Sequence, residues 1–329
     1  MKNNTTLFNW GIIGTGGIAN AFARDIELLD GHMVSSVLSR SEKSAEDFSS
    51  QLDNCSTFVN MESFIHNPEI DAVYIATPNT LHAEQTIKAL EAKKPVLCEK
   101  PFAMNSAEVL SMIKTSELNN TALLEGMWTR YLPHIEKVKK ILNENVIGKV
   151  ESVFACHGQN LRHSINPRLW TKELGGGALL DLGVYVISFA HMILGKPKEI
   201  FATSIFTEKG VDAKTSMIFK YGNNAIANLS CSMHDTQPNR AIISGDKGII
   251  EIDPTFYAPT TMSIKTNDGK IISFPNDYEG HGLREQAREM QECVRQNLIE
   301  SPKMTHSDSS DVMESMDEVR KIIGLDFNN

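Results

Sequence analysis

Five short apolar runs recur through the first third of the chain: WGII at Trp10–Ile13, VSSVL at Val34–Leu38, AVYIA at Ala72–Ala76, PVLC at Pro95–Cys98 and TALLE at Thr121–Glu125. Between several of them the apolar residues adopt helical spacing, as in Ile18, Ala19, Phe22, Ala23 and Ile26, or from His82 to Leu90. Strands that are apolar on both faces need cover on both faces, and crossover helices between parallel strands supply it. The rhythm therefore restricts this part of the chain to a doubly wound parallel sheet of the α/β class. It stops near residue 125.

Beyond that point the pattern predicts a helix from about Pro133 to Asn145, a strand around Val150–Cys156, a polar loop, and a helix over roughly Ala178–Leu194. From Ile200 to about Phe274, strand-like segments (SMIFKY, AIANLSCSM, AIISG, GIIEI) are separated by the turn-formers YGNN and GDKG. That is the signature of a large, mostly antiparallel open sheet with one face left for a partner. Two helices, about Gly282–Asn297 and Ser307–Ile323, close the chain, and their charges read as a solvated face without a special role. A chain of 329 residues exceeds the size at which a single core usually splits. The expected division is a dinucleotide-binding domain over 1–125 and a substrate-binding and oligomerisation domain over 126–329.

The dinucleotide assignment rests on WGIIGTGGIANAFA, where Gly14, Gly16 and Ala19 form G-x-G-x-x-A after a strand and at the opening of a helix. Gly14 suits the tight turn, Gly16 the close approach of a pyrophosphate, and Ala19 close helix–strand packing. The loop Gly14, Thr15, Gly16, Gly17 and Ile18 then presents the unpaired amides of a helix N-terminus to the phosphates. The second strand, HMVSSVLSR, ends on Ser39, Arg40 and Ser41 instead of the carboxylate that would bind the ribose 2′-hydroxyl of NAD. A guanidinium flanked by hydroxyls suits a 2′-phosphate, so NADP is expected over NAD. The competing reading makes Arg40 merely a solvated loop residue, and the missing acid weighs against it. The missing acid also counts against an S-adenosylmethionine site.

Composition narrows the partners. The net charge of -9, with both signs interspersed, forms no basic stripe for nucleic acid. The five cysteines are scattered and odd in number, without a Cys-x-x-Cys pair, so neither a disulfide framework nor a thiolate metal site is expected. The start MKNNTTLFNW lacks the apolar run of a signal peptide, and no window reads as the ~20 apolar residues of a membrane span. A cytoplasmic protein acting on a small molecule, with no membrane or nucleic-acid partner, is the expectation.

After AVYIA comes TPNTLH, the next strand runs into CEKP, and GGGALLDLGVY follows later. With the glycine loop, these motifs closely resemble the glucose–fructose oxidoreductase / inositol dehydrogenase family, Gfo/Idh/MocA, over nearly the whole chain. The resemblance implies a Rossmann domain, a C-terminal α/β domain commonly used for oligomerisation, and hydride transfer between nicotinamide and sugars, cyclitols or related alcohols. It implies that Thr77, Pro78, Asn79 and His82 form the cofactor loop beside the nicotinamide ribose. It makes Glu99 and Lys100 the pair whose lysine meets substrate and ribose, with Pro101 completing the motif, where a cis peptide would turn the lysine into the cleft. Where many members carry D-x-G-x-H, this chain reads Asp181-Leu182-Gly183-Val184-Tyr185. The tyrosine, together with EGMWTRYLP at Glu125–Pro133, resembles the branch containing dimeric dihydrodiol dehydrogenase and NADP-linked D-xylose dehydrogenase. In that branch tyrosine and lysine are the proposed catalytic pair, and Trp128 falls where a substrate-facing tryptophan is expected.

The chemistry of the residues agrees. Asp181 and Tyr185 are four apart, so they share one face of the expected helix, and Gly175, Gly176 and Gly177 before it would admit substrate close to the backbone. A free phenol titrates near ~10, and a neighbouring Lys100 ammonium would favour its ionised form. Tyr185 would take the alcohol proton, Lys100 would hold the oxygen, and Asp181 would orient the hydroxyl or the lysine. Taken singly, His82 also reads as a helix-start residue, Pro78-Asn79 as a turn, Glu99-Lys100 as a surface ion pair and Tyr185 as a core aromatic. Arg162, His163, Arg168 and His157 read as a loop at the cleft or plain surface, His191 as a core histidine, and Trp170 as a cover for cofactor or loop. No histidine–carboxylate spacing points to a metal. A catalytically silent NADP-binding sensor or scaffold is the competing reading, and hydride transfer to an imine or tetrapyrrole-like acceptor is a third.

Overall fold

The five apolar runs become strands of one parallel sheet, joined at its edge by a short strand, Ser56–Phe58. The strands are β1 (Phe8–Ile13), β2 (His32–Leu38), β3 (Ser56–Phe58), β4 (Ala72–Ile75), β5 (Val96–Glu99) and β6 (Leu123–Gly126), in the order β3-β2-β1-β4-β5-β6. The structure, a computed structural model, describes residues 7–327. Positions 1–6 of the stretch read for a signal peptide lie outside the described residues. Ala72–Ile75 and Val96–Cys98 are fully buried, as strands covered on both faces must be. The order reverses between β1 and β4, so their carboxyl ends open at a topological switch point.

The second sheet has eight strands in the order β14-β13-β12-β11-β7-β10-β9-β8. They are β7 (Val150–Gly158), β8 (Glu199–Phe206), β9 (Asp212–Lys220), β10 (Ile226–Ser232), β11 (Ala241–Gly245), β12 (Gly248–Ile252), β13 (Met262–Thr266) and β14 (Ile271–Phe274). β7 and β10 pair in parallel, Ile226 opposite Ser152, and the other neighbours run antiparallel. From Ala213 onward burial alternates residue by residue along β9, which gives this sheet one covered and one open face. Helix Val184–Leu194 packs on β7 and β10.

That helix corrects one expectation. The helical run Lys172–Leu194 has the length and apolarity of a membrane span, although no such window was read in the sequence. Its apolar window is 83% buried inside the protein, because it is the core helix of the second unit. Arg130 is buried with it, donating from Nε to Ser188 Oγ and from Nη2 to Ser188 O, both at 3.0 Å.

The chain divides into two compact units, one running up to Trp128 and including Gly280–His306, the other comprising Thr129–Glu279 and the stretch from Ser307. A single boundary at 125/126 leaves Gly280–His306 on the wrong side of this division, and the reason is a buried carboxylate. Asp25, in the last turn of helix Gly17–Ile26, accepts the amides of His281, Gly282 and Arg284 at 2.7, 3.0 and 2.8 Å. It thereby caps helix Leu283–Gln296, whose first-turn amides have no partner within the helix. This helix is not the merely solvated element its charges suggested, since Gln286 and Glu289 are buried on its inner face.

Candidate active site

The glycine loop has the shape its spacing predicts. Gly14 sits at φ +104°, and a Cβ there would meet Ala76 O at 2.7 Å, so the turn itself demands glycine. Gly16 and Gly17 differ: a Cβ on either would meet nothing within 4 Å. Their bareness is not required by the protein's own packing, and it leaves room for a group lying on the loop. Gly16 is the N-cap of helix Gly17–Ile26 without a side-chain cap, so the first amides stay available. Thr15 is half-buried, Ile18 is exposed and Ala19 is fully buried against the sheet. At the end of β2, Ser39 donates its amide to Phe58 O at 3.0 Å and Arg40 is exposed. The Ser41 hydroxyl accepts the Ser44 amide at 3.2 Å as the N-cap of helix Glu42–Ser49, which gives it a local task besides any phosphate. An uncapped helix N-terminus, open glycines and an exposed guanidinium fit a dinucleotide phosphate.

The loops after β4 and β5 are tied together by one side chain. His82, 1% exposed, places Nε2 2.9 Å from Thr77 O and Nδ1 2.9 Å from Pro101 O. It thus braces the loops after β4 and β5 from inside. Thr77 donates its hydroxyl to Gln85 at 2.6 Å, Pro78 precedes the short helix Asn79–Leu81, and Asn79 is buried. Glu99 ends β5 inside the protein, where Oε1 accepts the Tyr74 hydroxyl at 2.5 Å and Oε2 accepts the Lys100 amide at 3.3 Å. Burial pushes its pKa up, while Tyr74, the Lys100 charge and the Gln286 amide pull it down. Lys100 is half-buried and its peptide to Pro101 is cis. Trp128 is 7% exposed, its ring 5.9 Å from that of His281.

In the second unit, Asp181 lies in a π-helical turn, Leu179–Gly183, that runs directly into helix Val184–Leu194 carrying Tyr185. Such turns recur at functional sites. Asp181 Oδ1 accepts Arg168 Nη2 at 3.1 Å, which promotes Arg168 from a loop residue to a partner of the site. Tyr185 is 7% exposed and belongs to an aromatic cluster: His157 stacks on Tyr257 at 3.9 Å, and Tyr185 lies 5.2 Å from the first and 5.0 Å from the second. His157 therefore sits on β7 inside the unit, not on a surface loop, with Gln159 Nε2 3.1 Å from its Nε2.

Two of the three glycines before the helix have a cause besides the substrate approach expected of them. A Cβ on Gly176 would strike the carbonyls of Arg168 and Leu169 at 2.7 and 2.8 Å, and one on Gly177 would lie 2.2 Å from Asp212 Oδ1. Arg162 and His163 are exposed, Trp170 donates its indole to Ser164 O at 3.1 Å, and His191 is buried with Nε2 2.9 Å from Ser315 Oγ. Among the described residues no group of three or more His, Cys, Asp or Glu is placed to hold a metal ion.

Sequence reasoning missed Tyr74, Gln286, His281, Tyr257 and Asp212. Tyr74 sits in β4 just ahead of Thr77, whereas the other four come from segments remote from the motifs; the only sequence signal of all five is a polar atom within an otherwise apolar or turn-rich stretch. Gln286 is fully buried against Glu99, yet among the described residues neither of its polar atoms has a hydrogen-bond partner of ordinary geometry.

Comparison with known proteins accords with this geometry. Residues 8–127 match the model of the GFO_IDH_MocA oxidoreductase family with an NAD-binding Rossmann fold, and residues 135–251 match the GFO/IDH/MocA C-terminal domain. Trans-1,2-dihydrobenzene-1,2-diol dehydrogenase from Danio rerio is 33% identical over 331 residues, covering 97% of this chain and 98% of the relative. The enzyme of that name from Homo sapiens is 31% identical over 330 residues, covering 97% of each. Among solved structures, a 3-ketoreductase from Actinomadura kijaniata with NADP and TDP-benzene superposes with a TM-score of 0.86 at 24% identity, covering 97% of this chain and 98% of that one. An aldose-aldose oxidoreductase from Caulobacter crescentus complexed with glycerol gives 0.86 at 23% identity, over 96% and 97%. These two share the fold. The glycine loop, the β5 motif and both family matches make the chain a member of the Gfo/Idh/MocA family and an NAD(P)-dependent oxidoreductase.

Proposed function

We propose that this enzyme transfers hydride between NADP and a secondary alcohol of the sugar, polyol or dihydrodiol kind, with Lys100 and Tyr185 as its catalytic pair. The observation that carries the reading is the placement of Lys100 at the carboxyl end of β5, on a sheet whose Gly16 loop stays open above an uncapped helix. When bound, the nicotinamide supplies the hydride acceptor or donor. The protein's residues manage the proton and the oxygen: Tyr185 takes the hydroxyl proton in oxidation, and Lys100 stabilises charge on the oxygen. Asp181, paired with Arg168, orients the hydroxyl. Arg40, exposed after β2 with Ser39 and Ser41, supports NADP over NAD. The His157–Tyr185–Tyr257 cluster supplies flat apolar walls, which favour a ring-bearing alcohol. A dihydrodiol, as in the name of the Danio rerio relative, has that character.

A homodimer or larger homo-oligomer through the second sheet belongs to the same proposal. Its open face carries one cross-strand row, Ile242, Phe154, Asn228, Ile218 and Phe201, in which Phe154, Ile218 and Phe201 are 41%, 45% and 50% exposed. Three large apolar side chains aligned across the sheet are the kind of patch that a second copy covers. Cytoplasmic location is proposed from the free cysteines, four of which are buried.

The test is fluorescence titration with NADPH and NADH, then turnover of Lys100→Met and Tyr185→Phe on a panel of pentoses, aldoses and trans-dihydrodiols. NADPH preference with turnover lost in both variants supports the reading. Tight NADPH binding with no turnover by the native chain means a silent binder, and failure to bind either nucleotide removes the cofactor argument.

A further inference from the structure

Asp212 is the first residue of β9, completely buried and outside every motif of the family resemblance. Its Oδ2 accepts the Leu179 amide at 2.8 Å and the Thr215 hydroxyl at 2.9 Å. Its Oδ1 has no hydrogen-bond partner among the described residues and points at the Gly177 backbone, where a Cβ would lie 2.2 Å away. Leu179 opens the π-helical turn, Asp181 stands within it, and Tyr185 follows in the continuing helix. The turn has no side-chain cap of its own on Ala178. A carboxylate from a neighbouring strand therefore does the work of a cap, at the helix end where negative charge is favoured.

We propose that Asp212 is a positioning residue: its buried carboxylate fastens the turn that carries Asp181 and sets the register from which Tyr185 projects. This rests on the function proposed above and extends it to a residue that touches neither substrate nor cofactor. A neutral serine or asparagine would satisfy the Leu179 amide without the cost of burying a charge. The acid thus brings something an amide lacks, a charged acceptor shared by two donors and fitted against a glycine. Burial pushes its pKa up to about 6, with Thr215 and the Leu179 amide pulling the other way. The titratable group facing it from β10 is the Cys231 thiol, whose pKa burial raises well above the usual value. Ser204 on β8, bonded to Thr215 at 3.1 Å, is an uncharged neighbour.

The experiment compares the native chain with Asp212→Asn and Thr215→Val, each saturated with NADPH. Hydrogen exchange of the segment 177–185 should quicken about tenfold or more in Asp212→Asn, the least expected from losing a charge-assisted hydrogen bond, and by less in Thr215→Val. The value of kcat should fall by a similar factor, with KM and NADPH affinity changed far less. The native pH profile of kcat should show an acid limb near 6 that is missing in Asp212→Asn. Native exchange in both variants overturns the proposal, as does a lower melting temperature with kcat and its pH profile intact. Should Asp212→Asn fail to fold, Thr215→Val decides by the same readouts. Should the native chain turn over no alcohol, the function reading fails while the exchange comparison still decides the role of Asp212.

Discussion

Tyr74 on β4 donates its hydroxyl to Glu99 on β5 at 2.5 Å, so the carboxylate before Lys100 is held from within the sheet. Burial raises the Glu99 pKa and Tyr74 is the largest influence opposing it. A folded-state pKa above the unfolded one means stability present below the unfolded pKa and lost as pH rises through the folded one. Tyr74→Phe should deepen that loss and leave the variant about 1–3 kcal/mol less stable at neutral pH, as expected for an unsatisfied buried acceptor. Melting measured from pH 5 to 8 should show the deficit growing with pH, and a deficit independent of pH would count against this account.

The two loop glycines should separate stability from binding. Gly14→Ala forces a side chain into φ +104° and against a carbonyl, and should cost about 1–3 kcal/mol. Gly16→Ala meets nothing and should stay within about 0.5 kcal/mol of the native chain. Its NADPH affinity should nevertheless weaken about tenfold or more, because the methyl enters the space a phosphate needs. Urea unfolding and fluorescence titration on the same preparations check both.

Arg40 should decide between nucleotides. As the proposed ligand of the 2′-phosphate, Arg40 would supply a charge-assisted contact worth about 1.5–3 kcal/mol, so Arg40→Ala should weaken NADPH affinity roughly ten- to a hundredfold and leave NADH affinity nearly unchanged. Equal losses for both would make Arg40 an unspecific loop charge.

Acid stability should be governed in part by His191. Burial, reinforced by the Arg130 charge, lowers its pKa to about 4. Its depressed folded pKa gives stability that is complete above about 6.5 and lost as pH falls towards 4, about 3 kcal/mol in all. Asp212 acts in the opposite sense, its contribution being present below 3.8 and lost as pH rises through about 6. His191→Gln, whose amide can still reach Ser315, should flatten the fall in urea midpoint between pH 7 and 4.5. A fall as steep as in the native chain would show that His191 is not responsible.

The sheet at the front of the chain was legible because strands covered on both faces must be apolar throughout, and the glycine loop because a tight turn and an open ledge leave a local mark. The motifs after β4 and β5 were read through the family resemblance, since each of their residues taken singly also suits a turn, a helix start or a surface ion pair. Glycine 177 was misread: its cause is Asp212, thirty-five positions away, and no local pattern records that contact. His157 looked like loop because strand β7 runs on to Gly158, past the apolar residues that announce it. The return of helix Leu283–Gln296 to the first unit was hidden by its charged outer face: its buried stripe is short of large apolar residues (Leu283, Ala287, Met290, Cys293), and the buried Asp25 carboxylate that fixes where it starts lies far away in sequence.

That return has a consequence for the order in which the molecule is made. A nascent chain released only as far as Glu279 already holds every strand of both sheets, but not the helix whose Gln286 lies behind Glu99. Domains generally fold as units in order of synthesis, and here the first unit has to wait for its last segment until the intervening unit has emerged. The nucleotide-binding half is thus begun first and finished nearly last, and a ribosome stalled between the two units leaves it without its closing helix.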